Sequence, residues 1–216
     1  MTPGEMFELI KGNDLDRLRE ALTANPALVN EGVTLDNRPA KGGHPLHRIC
    51  DAVFARKITD EQAIAIAKIF MEHGSDIDGY MSQGDNNTPL IAAASLGGEK
   101  LSLFYIEHGA NIFYAPQNDG ATALHWAAFC GRDKLVERLI EKGADINRLD
   151  TNYHSTPCGW AIHVLESADT DNPGNQLSCV KLLLKAGTDK KLLYPGSIKY
   201  LEDVAEADPE LKKLLE

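Results

Sequence analysis

Between His44 and Cys50 the sequence places three side chains that could bind a divalent metal: His44, His47 and Cys50. Imidazole nitrogens and a thiolate suit zinc, which takes four such ligands in a structural site and three plus water in a catalytic one. No fourth ligand of fitting spacing accompanies them. A second pair, Cys130 and His163, has the residue types for nucleophilic catalysis, in which a base takes the thiol proton and the thiolate attacks. The sequence carries no G-x-S-x-G, P-loop, G-x-G-x-x-G or H-E-x-x-H motif to support an enzyme reading. The four cysteines, Cys50, Cys130, Cys158 and Cys179, contain no C-x-x-C pair and fall in or beside predicted helices. That pattern suits buried free thiols better than a disulfide framework.

The elements that must hold these residues recur along the chain. Asn87-Thr88-Pro89-Leu90-Ile91-Ala92-Ala93-Ala94 leads to His108-Gly109-Ala110-Asn111-Ile112, and Ala121-Thr122-Ala123-Leu124-His125-Trp126-Ala127-Ala128 leads to Lys142-Gly143-Ala144-Asp145-Ile146-Asn147. A third copy, Ser155-Thr156-Pro157-Cys158-Gly159-Trp160-Ala161, leads to Ala186-Gly187-Thr188-Asp189, and Thr88, Thr122 and Thr156 are spaced by 34. A fourth, His44-Pro45-Leu46-His47-Arg48-Ile49-Cys50, leads to His73-Gly74-Ser75-Asp76-Ile77. Where the copies carry them, Thr supplies a helix-cap oxygen and Pro suits the first helical position. The second helix follows with apolar residues at helical spacing, such as Leu135, Val136, Leu139 and Ile140. Gly74, Gly109, Gly143 and Gly187 each stand where that helix should end in a left-handed residue. Asn118-Asp119-Gly120 is a turn signal expected at the tip between copies.

This pattern resembles the ankyrin repeat, with its period of about 33 residues and its T-P-L-H-x-A signature. The resemblance implies an all-α ankyrin-repeat solenoid of helix-turn-helix units joined by β-hairpin-like loops. It implies one domain over 1–216, with a half-repeat at about 4–30, repeats at about 42–79, 86–114, 120–148 and 154–190, and a cap at about 196–216. It also gives the motif histidine a structural role, bonding backbone groups near the hairpins. His47 occupies that position, while His44 replaces the motif Thr and Cys50 a small buried residue, so a packing role outweighs a metal site. Ile91 and Gly159 replace the motif histidine and Cys158 the motif leucine, which predicts less regular packing in the last repeat. The segments Thr122–Ala128 and Thr156–Ala161 also look similar to stand-alone bacterial ankyrin proteins.

Ankyrin proteins commonly bind through hairpin tips and the exposed side of the first helices. Carried onto this register, the resemblance implies a protein-binding surface at Asp85, Asn87, Asn118, Asp119, Ala121, Asn152, Tyr153 and Ser155 on the tips. On the helices it implies Ser95, Leu96, Phe129, Cys130, His163 and Val164. Phe129 and Tyr153 stand out because exposed aromatics are typical anchors. Trp126 and Trp160, just before small residues, are expected in the core. The segment Leu139–Asn147 also resembles ankyrin segments whose asparagine is hydroxylated, which would make the chain a modification substrate.

Two stretches depart from the period. An insertion of about ten residues falls near Ala55–Gln62, where Thr59 and Gln62 form a capping-box pattern. The other, Glu166–Asn175, is turn-rich and acidic, and Glu31 to Lys41 is irregular. At the ends, Phe7–Asn30 echoes the second half of a unit, and Pro209–Leu215 is the expected closing helix.

Composition narrows the partner. The 216 residues are 43% hydrophobic and 6% aromatic, with a formal net charge of −10 and a pI near 5.2. Nucleic acid and anionic membrane are disfavoured, because both are held by an excess of Lys and Arg. The N-terminus, Met1 to Met6, lacks a basic stretch before an apolar one, and no apolar run approaches a membrane span. The expectation is a monomeric, cytoplasmic, non-enzymatic module for a protein partner, without metal or cofactor.

Overall fold

The computed structural model describes residues 3–30, 33–35, 38–79, 87–167 and 174–216, as two compact units, Met1–Asn111 and Ile112–Glu216. Twelve α-helices occur among the described residues, and they come in consecutive pairs.

The first unit holds α1 (Pro3–Lys11) with α2 (Leu15–Ala24), α3 (Pro45–Phe54) with α4 (Asp60–Glu72), and α5 (Pro89–Ser95) with α6 (Glu99–Glu107). First helices pack in the order α1, α3, α5 and second helices in the order α2, α4, α6, giving two layers with the core between them. Ala93 and Ala94 are buried on the inner face, as the close approach of neighbouring helices requires. Cys50 is buried in α3, and its thiol donates to the carbonyls of Leu46 and Pro89 at 3.4 and 3.6 Å. The phenol of buried Tyr105 donates to that same Leu46 carbonyl at 3.2 Å, tying α6 to α3.

The insertion after Phe54 is absorbed as helix. α3 runs ten residues against seven in α5, and α4 thirteen against nine in α6. Thr59 and Gln62 close the expected capping box, with Gln62 N donating to Thr59 Oγ1 at 3.3 Å and Thr59 N to Gln62 Oε1 at 2.9 Å. The stretch expected to be irregular contains an antiparallel pair, β1 (Val33–Leu35) and β2 (Arg38–Gly43), with a register irregularity between Thr34 and Leu35. The N-terminal segment is a helix pair, not one half of a unit, because Asn13 turns the chain between α1 and α2 at φ 52°. Asn tolerates this left-handed conformation better than most residues.

The second unit repeats the plan with α7 (Ala123–Phe129) and α8 (Asp133–Glu141), α9 (Pro157–Ser167) and α10 (Gln176–Lys185), and α11 (Pro195–Ala205) and α12 (Pro209–Leu215). Helices α7, α9 and α11 form one layer and α8, α10 and α12 the other. Leu135, Val136 and Leu139 of α8 are fully buried, and each such side chain removed from water contributes roughly 2 kcal/mol. The expected left-handed helix ends are present, with Gly143 at φ 85° and Gly187 at φ 99°. Cys158 fills the motif-leucine position without solvent exposure, and α9 runs regularly for eleven residues, so the expected loosening of this repeat does not occur.

Candidate functional site

The tips and first helices of the second unit build a concave site, and the loop from Asp150 to Ser155 sets its geometry. Asp150 is 1% exposed and accepts four hydrogen bonds. Asn152 N and Tyr153 N donate to Oδ1 at 2.9 and 2.7 Å, and Ser155 N and the Trp160 indole N–H donate to Oδ2 at 3.0 and 3.1 Å. Burial by itself would push this carboxyl up, but the donors from Tyr153, Trp160, Ser155 and Asn152 together hold it below the usual carboxylate range. An ionised carboxylate is therefore fixed at the N–H edge of the Trp160 ring.

Beneath it, His125 locks the loop to α7. Its Nδ1 accepts from Thr122 N at 3.1 Å and Thr122 Oγ1 at 2.9 Å, which leaves the ring proton on Nε2 to reach Ser155 O at 3.2 Å. Burial pushes the imidazole down to about 4, so it is neutral at physiological pH. This is the structural role that the resemblance implied for the motif histidine.

Four aromatic side chains crowd against Trp160. Trp126 lies 5.2 Å away at 85°, Phe129 5.8 Å at 74°, Tyr153 6.3 Å at 76°, and the His125 ring 5.3 Å at 70°. Edge-to-face pairs at these separations are favourable, so the rings fix one another. Tyr194, at the head of α11, donates its phenol to Tyr153 O at 3.0 Å. Trp126, Phe129, Tyr153, Trp160 and Tyr194 line a groove of about 720 Å³, completed by Ser155, Gly159, His163, Glu166, Gly196 and Ser197. Gly159 stands where the motif calls for histidine, and a Cβ there would lie 2.3 Å from Ser155 Oγ. Its lack of a side chain leaves room for the Ser155 hydroxyl.

Of the residues predicted for a binding surface, the groove brings together Phe129, Tyr153, Ser155 and His163. Tyr153 is 67% exposed, whereas Phe129 is half-buried. Trp126 and Trp160 are half-buried groove residues and not core, because the helix face before the small pair opens onto the concavity. Asn118, Asp119 and Asn152 are on the tips: the carbonyl of Asp119 accepts from Thr151 N at 2.7 Å and that of Asn118 from Thr151 Oγ1 at 3.4 Å. Ala121 and Val164 are buried. Cys130, half-buried at the end of α7, does not line the groove, and burial pushes its thiol up against the opposing pull of Arg132. That shift opposes the thiolate a nucleophile needs.

Asn87, Ser95 and Leu96 belong to the first unit and are half-buried, with Ser95 Oγ donating to Ala92 O at 3.1 Å. Asp85 and residues 168–173 of the acidic insertion lie outside the described residues. Asn147 Oδ1 accepts from Asp189 N at 2.8 Å, so its amide joins α8's end to α10's. In the His44, His47, Cys50 group, His44 Nε2 is already engaged with Asn30 Oδ1 at 3.1 Å. Burial holds the Cys50 thiol well above its ordinary range.

Sequence reasoning missed Asp150, Glu166 and Tyr194. Trp126 and Trp160 had a signal, since they sit 34 apart at one register position. Asp150 had a weaker one, an Asx residue opening a turn. Tyr194 had none, because it joins the groove only through the packing of α11 on α9.

The chain matches a family model for ankyrin repeats, in three copies, over residues 54–150. No curated protein matches it. Among solved structures it is similar to an ankyrin repeat domain from Acinetobacter baumannii AYE, with 24% sequence identity and a TM-score of 0.68. That alignment covers 98% of this chain and 95% of the other. The repeats are thus matched in sequence over residues 54–150, and the chain shares the fold of an ankyrin repeat domain along nearly its whole length.

Proposed function

We propose that the chain is a binding module that takes a protein partner in the aromatic groove of its second unit, with Asn118, Asp119 and Asn152 on the adjoining tips. Ankyrin repeats are generally protein–protein interaction modules. One observation carries the more specific reading: five aromatic side chains line a single concavity, with Tyr153 and Tyr194 exposed by 67% and 59%. Large rings held rigidly at the mouth of a groove are the usual anchors of an interface, because they bury much area at little entropic cost. In the first unit, Asn87, Ser95 and Leu96 hold the corresponding register positions and are proposed as further contacts.

Binding is favoured over catalysis because Cys130 is poorly placed to ionise and His163 is a groove residue. The net charge of −10 favours a protein over nucleic acid. Four cysteines outside any disulfide support a reducing, cytoplasmic setting, and the chain is proposed to act as a monomer. None of the helices among the described residues is long and apolar enough to cross a membrane.

The test is affinity capture from source-cell lysate with the wild type and with a Phe129→Glu, Tyr153→Ala variant whose folding is checked by circular dichroism. A protein retained by the wild type and lost by the variant is expected. Equal retention by both would remove the groove from the reading.

A further inference from the structure

The groove is apolar, yet its charge is one-sided. Among the described residues, Glu166 is the only Asp, Glu, Lys or Arg that lines it. A second carboxylate, Asp150, is fixed at the N–H edge of Trp160 and accepts a hydrogen bond of 3.1 Å from its indole N–H. Electron density pushed into the indole by that bond makes the ring face more negative, which strengthens its attraction for a cation. Trp126, Phe129 and Tyr153 stand at 85°, 74° and 76° to Trp160 in edge-to-face contacts, which hold the aromatic wall of the groove rigid.

A bare ammonium fits such an aromatic wall poorly. It carries three strong donors that lose water on entry, and aromatic faces cannot replace those hydrogen bonds. Methylation removes the donors, spreads the charge and adds apolar surface that the rings can cover. The volume of about 720 Å³ far exceeds one methylated ammonium and leaves room for an aliphatic stem and flanking backbone.

We infer that the aromatic cluster around Trp160, with Glu166 among the lining residues, recognises a methylated lysine side chain presented by the partner protein. This inference rests on the protein-binding reading of the groove.

The experiment titrates the full chain with three five-residue peptides, identical except at the central residue: trimethyl-lysine, lysine, or a neutral isostere with carbon in place of the quaternary nitrogen. Both tryptophans of the chain line the groove, so their emission reports this site alongside calorimetry. The trimethyl-lysine peptide is expected to bind about tenfold or more tightly than either of the others and to change tryptophan emission. Glu166→Gln and Tyr153→Ala are each expected to weaken it several-fold without altering the circular dichroism spectrum. Tetramethylammonium chloride should compete, while sodium chloride at equal ionic strength should compete less.

Equal affinity for the charged peptide and the neutral isostere would overturn the inference and leave an apolar docking groove. Absence of binding by all three peptides, with a lysate partner still lost in the Phe129→Glu, Tyr153→Ala variant, would overturn it alone. Equal retention of that partner by both proteins would overturn the groove reading beneath it as well.

Discussion

His125 and Asp150 show how single side chains set both the stability and the shape of the site. His125 is buried and neutral, and its folded value of about 4 lies below the ordinary 6.5. The unfolded chain therefore takes up a proton that the folded chain resists. The contribution of His125 is complete above pH 6.5 and is lost as pH falls toward 4, by up to about 3 kcal/mol. Urea unfolding at pH 7.5 and pH 5 should show this loss, and His125→Asn should be less stable at pH 7.5 but flatter in its pH dependence. Equal slopes in both proteins would remove His125 as the source. Asp150→Ala strands three backbone N–H groups and one indole N–H, so a loss of about 3 kcal/mol is expected in the same assay. The histidine was legible in the sequence because it sits at a motif position. The aspartate was not, since its four donors converge only after the tip has folded.

At the scale of the element, the second insertion shows how a long excursion is returned to the repeat. Asn175 N donates to Gly131 O at 2.8 Å, and its side chain donates to Asp133 Oδ2 at 2.7 Å. Gln176 Nε2 reaches Phe129 O at 3.1 Å. Two glycines permit this contact: a Cβ on Gly174 would stand 2.3 Å from Cys130 O, and one on Gly131, at φ 64°, would stand 2.3 Å from Asn175 N. Gly174→Ala should therefore push the loop off the turn between α7 and α8, with a loss of roughly 1–3 kcal/mol in thermal or chemical unfolding. Gly196→Ala is the contrast, because no atom lies within 4 Å of the added methyl and the site is inside a helix. It should be neutral or stabilising by several tenths of a kcal/mol. The repeat period revealed both insertions, but not their fates. The capping box of Thr59 and Gln62 was visible because it is local. The docking of Gly174 on Gly131 was not, since it joins residues 43 apart.

Across the whole molecule, two units each bury their own two-layered core of three helix pairs. In repeat proteins stability is approximately a sum of unit and neighbour terms, so a local lesion need not unfold every unit together. Both tryptophans lie in the second unit, at 126 and 160, whereas helices of both units contribute to far-UV circular dichroism. In Asp150→Ala the tryptophan-monitored urea transition is expected to shift below the circular dichroism transition. Coincident transitions would show that the lesion unfolds the chain as one cooperative system.

The sequence alone determined the helix-pair repeat, its capping threonines, its left-handed glycines and its buried motif histidine. These follow from propensities and contacts within about one repeat, so each leaves a mark at fixed spacing. The groove was decided by tertiary structure. It needs the α7, α9 and α11 faces side by side, with Trp126, Trp160 and Tyr194 drawn from three successive helix pairs of the second unit and a buried carboxylate holding the Trp160 N–H. Whether a half-buried ring belongs to core or to surface depends on what the neighbouring helix leaves uncovered.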